Sequence, residues 1–144
     1  MALTVKVITL WRREIENRPG ALAGVLHPLA TTKADLQVLM AYRFPGAESR
    51  GAVELFPIAG KKAAAAAADA GLTPANDIPA VLVHGSNRAG LGYQTARAIA
   101  DEGINLAFLV AQVVGTKFSA VYGFDSVTDR DRAVKLLKKG GAER

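Results

Sequence analysis

The fold is decided by a four-residue pattern that occurs twice, as Asn17-Arg18-Pro19-Gly20 and as Asn87-Arg88-Ala89-Gly90. The offset of 70 residues holds through the following segments, up to Ala34-Asp35-Leu36 and Ile104-Asn105-Leu106. In each copy a β-branched apolar segment precedes the pattern and an amphipathic helical segment follows it. We therefore expect a duplication, with one unit at residues 1–76 and the other at residues 77–144.

The first copy reads outward from its pattern as strand, helix, strand, strand, helix. Leu22, Val25, Leu26 and Leu29 have the spacing of one apolar helix face. A run of alanines forms the second helix by propensity, and Gly71 ends it. The predicted strands are residues 5–10, 36–44, 52–58 and a short 72–74, and the predicted helices are residues 20–30 and 61–70.

The second copy repeats this order, but few residues follow its second helix. Its predicted strands are residues 80–84, 104–114 and 118–124, and its predicted helices are residues 91–102 and 129–139. This is the ferredoxin-like βαββαβ order, so we expect an α+β protein with two tandem units packed side by side. The second unit has a short or absent fourth strand, so its sheet is expected to expose an edge that a partner covers.

Composition excludes several classes of protein. Half of the 144 residues are hydrophobic and 22% are charged, which excludes a disordered chain and favours a homodimer. The absence of cysteine excludes disulfides, thiolate metal sites and cysteine nucleophiles, so we expect a cytoplasmic protein. The longest uncharged apolar stretch, residues 103–116, is too short to span a membrane. The net charge of +5 is spread along the chain, which disfavours nucleic acid as a partner.

The segment from Glu16 to Ala30 resembles the signature of the ACT domain, an amino-acid-sensing module of biosynthetic enzymes, and Ser86 to Leu106 resembles a second copy. The resemblance covers residues 3 to 139. It implies a βαββαβ fold, frequent side-by-side pairing of sheets, and a small ligand, most often an amino acid, near the first strand-to-helix turn. The second copy departs from the pattern, with Ala89 in place of proline and Gly92 in place of an apolar residue.

The chemistry of the turn also points to a ligand. A glycine lets the backbone approach a ligand closely, and the helix that follows presents unpaired N–H groups to a carboxylate. Asn17 and Asn87 can each donate to and accept from an amino acid. The alternative is that the asparagine only caps the helix. The candidate ligand-binding residues are Asn17, Arg18, Pro19, Gly20, Ala21 and Leu22, with Asn87, Arg88, Gly90, Leu91 and Gly92.

Other functions are less well supported by the residues. Gly85, Gly90 and Gly92 resemble the start of a dinucleotide-binding unit, but the glycine spacing is wrong and too little chain follows. His27 and His84 lack the neighbours of a metal or catalytic site, so we expect no catalytic residues, metal or cofactor. The leading hypothesis is a stand-alone regulatory protein that binds an amino acid. The runner-up is a ligand-free module that docks a partner enzyme or RNA.

Overall fold

The computed structural model describes residues 3–142 of the chain. Within that range the chain forms eight strands and four helices, in an order that repeats once. In chain order the elements are β1 (Thr4–Ile8), β2 (Trp11–Glu16), α1 (Ala21–Ala30), β3 (Val38–Phe44), β4 (Ala47–Phe56), α2 (Lys61–Asp69), β5 (Thr73–Pro74), β6 (Ala80–Ser86), α3 (Leu91–Asp101), β7 (Leu106–Val114), β8 (Lys117–Phe124) and α4 (Val127–Ala142).

These elements form two compact units. The first unit is the continuous segment Thr9–Asn76, and the second combines the segment that ends at Ile8 with the segment that begins at Asp77. The chain therefore passes from a strand of the second unit through the whole of the first unit and then back into the second unit.

The first unit has an antiparallel sheet in the order β3-β4-β2-β5. Its two helices contribute Val25, Leu29 and Ala67 to a core that also contains Val53 and Leu55 from the central strand. The central strand is buried because alternate residues of β4 face the helices, and β2 and β3 flank it. This order is the one that βαββαβ connectivity produces.

The second unit has an antiparallel sheet in the order β1-β6-β8-β7. Tyr122 and Phe124 of β8 are fully buried in its core, with Leu91 and Ile99 of α3 and Leu137 of α4. Here β1 holds the edge position that a fourth strand would hold, and it pairs with β6 so that Thr4 lies opposite His84 and Ile8 opposite Ala80.

The structure confirms the α+β class and the two ferredoxin-like units, and no strand follows α4 within residues 3–142. Two expectations are wrong. Residues 5–10 are not one strand, because the chain leaves one sheet after Ile8 and enters the other at Trp11. The edge of β6 is not open, because β1 covers it. The predicted division at residues 76 and 77 assigned β1 to the first unit, whereas β1 pairs with the second.

The hairpin that joins β3 and β4 is tighter than predicted. β4 begins at Ala47 rather than Ala52, so only Pro45 and Gly46 separate the two strands. A register shift after Arg43 accommodates the extra residues of this copy as a bulge. No helix among the described residues is long and apolar enough to cross a membrane.

Candidate functional site

The first turn starts its helix from a glycine. Gly20 occupies the N-cap position of α1 with φ of 87°, in the left-handed region that favours glycine. No side chain caps this helix. A Cβ at Gly20 would meet nothing within 4 Å, so the space in front of the helix start is open.

Asn17 has a different role from the cap that the alternative interpretation assigned to it. Its Nδ2 donates to the carbonyl oxygen of Glu48 at 2.7 Å, and its backbone N–H donates to the carbonyl oxygen of Ser49 at 2.9 Å. Both bonds join the turn to the start of β4. Asn17 therefore positions the turn, while Gly20 starts the helix.

The first turn of α1 contains both bonded and free backbone N–H groups. The N–H of Ala21 bonds to the carbonyl of Arg18 at 3.3 Å, and the N–H of Gly24 bonds to the carbonyl of Gly20 at 2.9 Å. Between them, the N–H groups of Leu22 and Ala23 have no hydrogen-bond acceptor among residues 3–142. Such free N–H groups, at the positive end of a helix dipole, suit an anion.

An open groove of about 440 Å³ lies against this turn. One side is α1, where Gly20 and Gly24 leave the backbone uncovered. The other side is β2 with the start of β4. The groove is lined by Arg13, Glu14, Ile15, Glu16, Arg18, Gly20, Ala21, Gly24, Val25 and Arg50. A volume of this size suits a small-molecule ligand.

The groove carries charges of both signs. Arg18 pairs with Glu16 at 2.9 Å and Arg50 with Glu14 at 3.5 Å. In each pair both side chains are about half exposed or more, so these ion pairs contribute little to stability and their groups can turn to a ligand. The third cation, Arg13, donates from Nη1 to the carbonyl oxygen of Ala70 at 2.9 Å.

At the second turn the glycine has the same backbone conformation as at the first, but the space beside the turn is smaller. Gly90 is the N-cap of α3 with φ of 84°, and the N–H groups of Gly92 and Tyr93 likewise have no acceptor among the described residues. Arg88, however, folds over α3 and donates to Oε1 of Gln94 at 2.8 and 3.2 Å. The cavity beneath measures about 20 Å³, enough for one water molecule but not for an amino acid.

Comparison with known proteins gives matches of structure only. No family model matches the chain, and no curated protein does. The crystal structure of protein BT0572 from Bacteroides thetaiotaomicron matches with a TM-score of 0.76 at 18% identity, over 94% of this chain and 89% of that one. The ligand-free regulatory subunit of aspartate kinase from Thermus thermophilus matches with a TM-score of 0.61 at 16% identity, over 95% and 97%.

A third match shows how such a unit occurs inside a larger enzyme. Aspartate kinase from Clostridium acetobutylicum matches with a TM-score of 0.60 at 13% identity, over 99% of this chain but 34% of the kinase. The regulatory subunits of aspartate kinase among these matches are tandem ACT structures. The chain has the tandem ACT fold. At these identities the likeness establishes the fold alone.

Within this ACT fold, the structure separates the predicted residues by position. In the first unit Arg18, Gly20 and Ala21 line the groove, whereas Leu22 packs against the core. In the second unit Leu91 is buried and lines the small cavity with Arg88. Asn17, Pro19, Asn87, Gly90 and Gly92 are exposed and line neither space.

The sequence did not point to Arg13, Gly24 or Arg50 as lining residues. Arg13 and Arg50 lie far apart in the chain and meet because β2 pairs with β4, with Glu16 opposite Arg50. Gly24 did carry a signal, since a glycine inside a helix has a cost that close approach to a ligand would explain. The described residues contain no group of three or more His, Asp or Glu placed to hold a metal ion.

Proposed function

We propose that this protein is a stand-alone regulatory module that binds a small molecule, an amino acid, in the groove at the first turn, and that it works as a cytoplasmic homodimer. The observation that carries the proposal is the pairing of two free N–H donors, at Leu22 and Ala23, with a groove that holds both arginines and glutamates. The second unit, whose cavity holds one water at most, has a structural role in this proposal.

The two charges of an amino acid have matching partners in the groove. Its carboxylate is placed at the start of α1, where the N–H groups of Leu22 and Ala23 and the helix dipole favour an anion. Its ammonium group is placed toward Glu14 or Glu16, whose present partners are exposed arginines. Binding of an amino acid here breaks only weak interactions, because exposed ion pairs contribute little to stability.

The structural matches support the regulatory part of the proposal. The match from Thermus thermophilus is named a regulatory subunit of aspartate kinase, and this chain covers 97% of it. By analogy, binding in the groove would change the geometry or stability of the module and so act on a partner enzyme.

A thermal-shift screen of the ligand-free protein against the amino acids tests the proposal. At about 100 times the dissociation constant, a ligand that binds only the folded state adds about 2.7 kcal/mol to the free energy of unfolding. For a chain of this size we expect Tm to rise by several degrees. If no amino acid raises Tm, the proposed ligand class is wrong.

Matched substitutions locate the site. Gly20→Asp places a negative charge in front of the two donors and should abolish the shift by repelling the carboxylate. Gly20→Asn is the control, because asparagine tolerates a left-handed backbone equally well and carries no charge. Gly90→Asp, at the equivalent residue of the second turn, should leave the shift intact. A shift that survives Gly20→Asp, or that Gly90→Asp removes, would move the site away from the first turn.

The second candidate function is a ligand-free docking module. The observation that favours it is the set of exposed apolar side chains along β7. A protein partner fits that strand better than RNA, because Phe118, Tyr122 and Phe124 of β8 are buried in the core and unavailable for stacking on bases. A chain that fails the amino-acid screen yet captures one partner enzyme reproducibly would establish this function instead.

A further inference from the structure

The groove at the first turn offers a ligand little apolar surface. Of its lining residues, Ile15, Ala21 and Val25 have apolar side chains. Val25 is 1% exposed and Ile15 packs against the core of the first unit, so both have little surface left for a ligand. Because pockets for apolar groups are lined mostly by apolar side chains, an amino acid with a large apolar side chain would find few contacts here. The ligand side chain that fits this groove is therefore polar.

The charges of the groove select among polar ligands. Its lining contains three arginines and two glutamates, which are Arg13, Arg18, Arg50, Glu14 and Glu16. The two charges of a neutral amino acid cancel, so such a ligand leaves the excess of positive charge in place, and free lysine increases it. An amino acid with a second carboxylate balances it. Charge complementarity therefore favours free aspartate or glutamate over neutral and basic amino acids.

Arg13 is the cation of this groove that lacks a carboxylate partner. The other two arginines each pair with a glutamate, at 2.9 and 3.5 Å. Arg13 forms no ion pair among residues 3–142, and its one hydrogen bond there runs from Nη1 to the carbonyl oxygen of Ala70. A guanidinium has five N–H donors, so most of those of Arg13 are available. Such donors can bind a carboxylate through two parallel hydrogen bonds.

The side chain of Arg13 is also held in position. Arg13 lies opposite Val53, a core residue, so it projects from the helix-covered face of the sheet, toward the end of α2. A Cβ added at Gly71 would lie 3.2 Å from Cδ and Nε of Arg13, so the guanidinium lies directly against the backbone of Gly71. This contact and the bond to Ala70 fix the guanidinium before a ligand arrives, which lowers the entropy lost on binding.

We propose that the ligand of this groove is an acidic amino acid, aspartate or glutamate, and that Arg13 selects it by binding the side-chain carboxylate. The inference rests on the proposed function, in which the α-carboxylate lies at the start of α1 and the ammonium group lies toward Glu14 or Glu16. Binding of the ammonium group to a glutamate releases the arginine that pairs with it. The released guanidinium adds to the attraction for the second carboxylate.

Isothermal titration calorimetry of the full chain measures the preference with pairs of ligands of equal shape. Glutamate is compared with glutamine, and aspartate with asparagine, because each amide lacks only the charge of its acid. Hydrogen bonds to a charged group are stronger than neutral ones, so we expect one of the two acids to bind at least about tenfold more tightly than its amide. Lysine, threonine and leucine should all bind more weakly than that acid.

Arg13→Gln tests the residue assigned to the side-chain carboxylate. In this variant the acid and its amide should bind alike, while the affinity for the amide and the circular dichroism spectrum stay close to those of wild type. Arg43→Gln is the matched control, because it removes the same charge from an exposed residue of β3, in the same sheet and outside the groove. It should keep the full preference. A preference for the acid that survives Arg13→Gln, or that Arg43→Gln removes equally, would overturn the role of Arg13.

The outcomes separate this inference from the proposed function. If a neutral or basic amino acid binds most tightly, the acidic ligand is wrong and the proposed function stands. If no amino acid binds, the proposed function fails and the inference fails with it. Succinate and glutarate carry two carboxylates and no ammonium group. If they bind as tightly as the acidic amino acids and Arg13→Gln weakens them, Arg13 keeps its role and the placement of the ammonium group beside the glutamates is wrong.

Discussion

At the scale of single residues, Gly123 shows how side chains fix the pairing of two strands. It lies opposite Phe108 in the β7–β8 ladder, and the ring of Phe108 occupies the position of a Cβ at this residue. Cγ2 of Ile78 would lie 2.9 Å from that Cβ. We expect Gly123→Ala to lower the free energy of unfolding by about 1–3 kcal/mol through overpacking. Urea unfolding measures the change, and Gly92→Ala is the control, because a Cβ there meets nothing within 4 Å. An unchanged stability in Gly123→Ala would show that Phe108 moves aside freely.

Tyr122 gives a residue-scale prediction about pH. Burial raises the pKa of its hydroxyl above the ordinary 10.0, and the hydrogen bond with Thr95 at 2.6 Å lowers this pKa by a smaller amount. Because the folded-state pKa is raised, the unfolded chain loses its proton first as the pH rises. The stabilisation is present below pH 10 and is lost as the pH rises from there toward the folded-state pKa.

Urea unfolding from pH 8 to pH 11 should therefore show a steeper fall in stability for wild type than for Tyr122→Phe. The other ionisable residues are shared by both proteins, so their contribution cancels in the difference. Parallel curves for the two proteins would mean that the Tyr122 hydroxyl ionises alike in the folded and unfolded states.

At the scale of elements, the sequence identified what depends on local patterns. The repeated turn, the helix faces and the order of strands and helices from α1 onward follow from short-range spacing, and the structure confirms them. The strand β2 was missed because Arg12, Arg13, Glu14 and Glu16 read as a polar connection. Three of these four charged side chains contact residues that are distant in sequence: Arg12 contacts Glu54, Arg13 the carbonyl oxygen of Ala70, and Glu14 Arg50. Arg12 pairs with the buried carboxylate of Glu54 at 3.3 Å, and Tyr42 donates to the same carboxylate at 2.6 Å.

The candidate site shows the same limit. The sequence pointed to the correct turn, since Arg18, Gly20 and Ala21 line the groove. It could not supply Arg13 and Arg50, because only the β2–β4 pairing places them beside Gly20. Nor could it show that Arg88 bonds to Gln94 and leaves the second turn with little space. Both features depend on tertiary contacts that no local pattern encodes.

At the scale of the whole molecule, the first unit is inserted between a strand and the unit to which that strand belongs. Ile8 lies opposite Ala80, so a chain that joins residue 8 directly to residue 77 would form a β1–β6 hairpin with Asp77, Ile78 and Pro79 as its loop. Three-residue hairpin loops are common. Leu3, which is 5% exposed, and Val5 pack against the core of the second unit and would be retained in such a chain.

We therefore expect the chain that lacks residues 9–76 to fold as an independent unit and to be more stable than residues 77–144 alone by about 2 kcal/mol or more, the cost of losing a large buried side chain. Residues 9–76 alone should fold without any addition, because that unit is continuous and has its own core. Chemical unfolding followed by circular dichroism measures all three fragments. Leu3→Ala in the joined chain is the matched variant. It should lower the free energy of unfolding part of the way toward that of residues 77–144 alone. If residues 77–144 alone match the joined chain, β1 contributes no stability to the second unit, and its pairing with β6 is a consequence of connectivity.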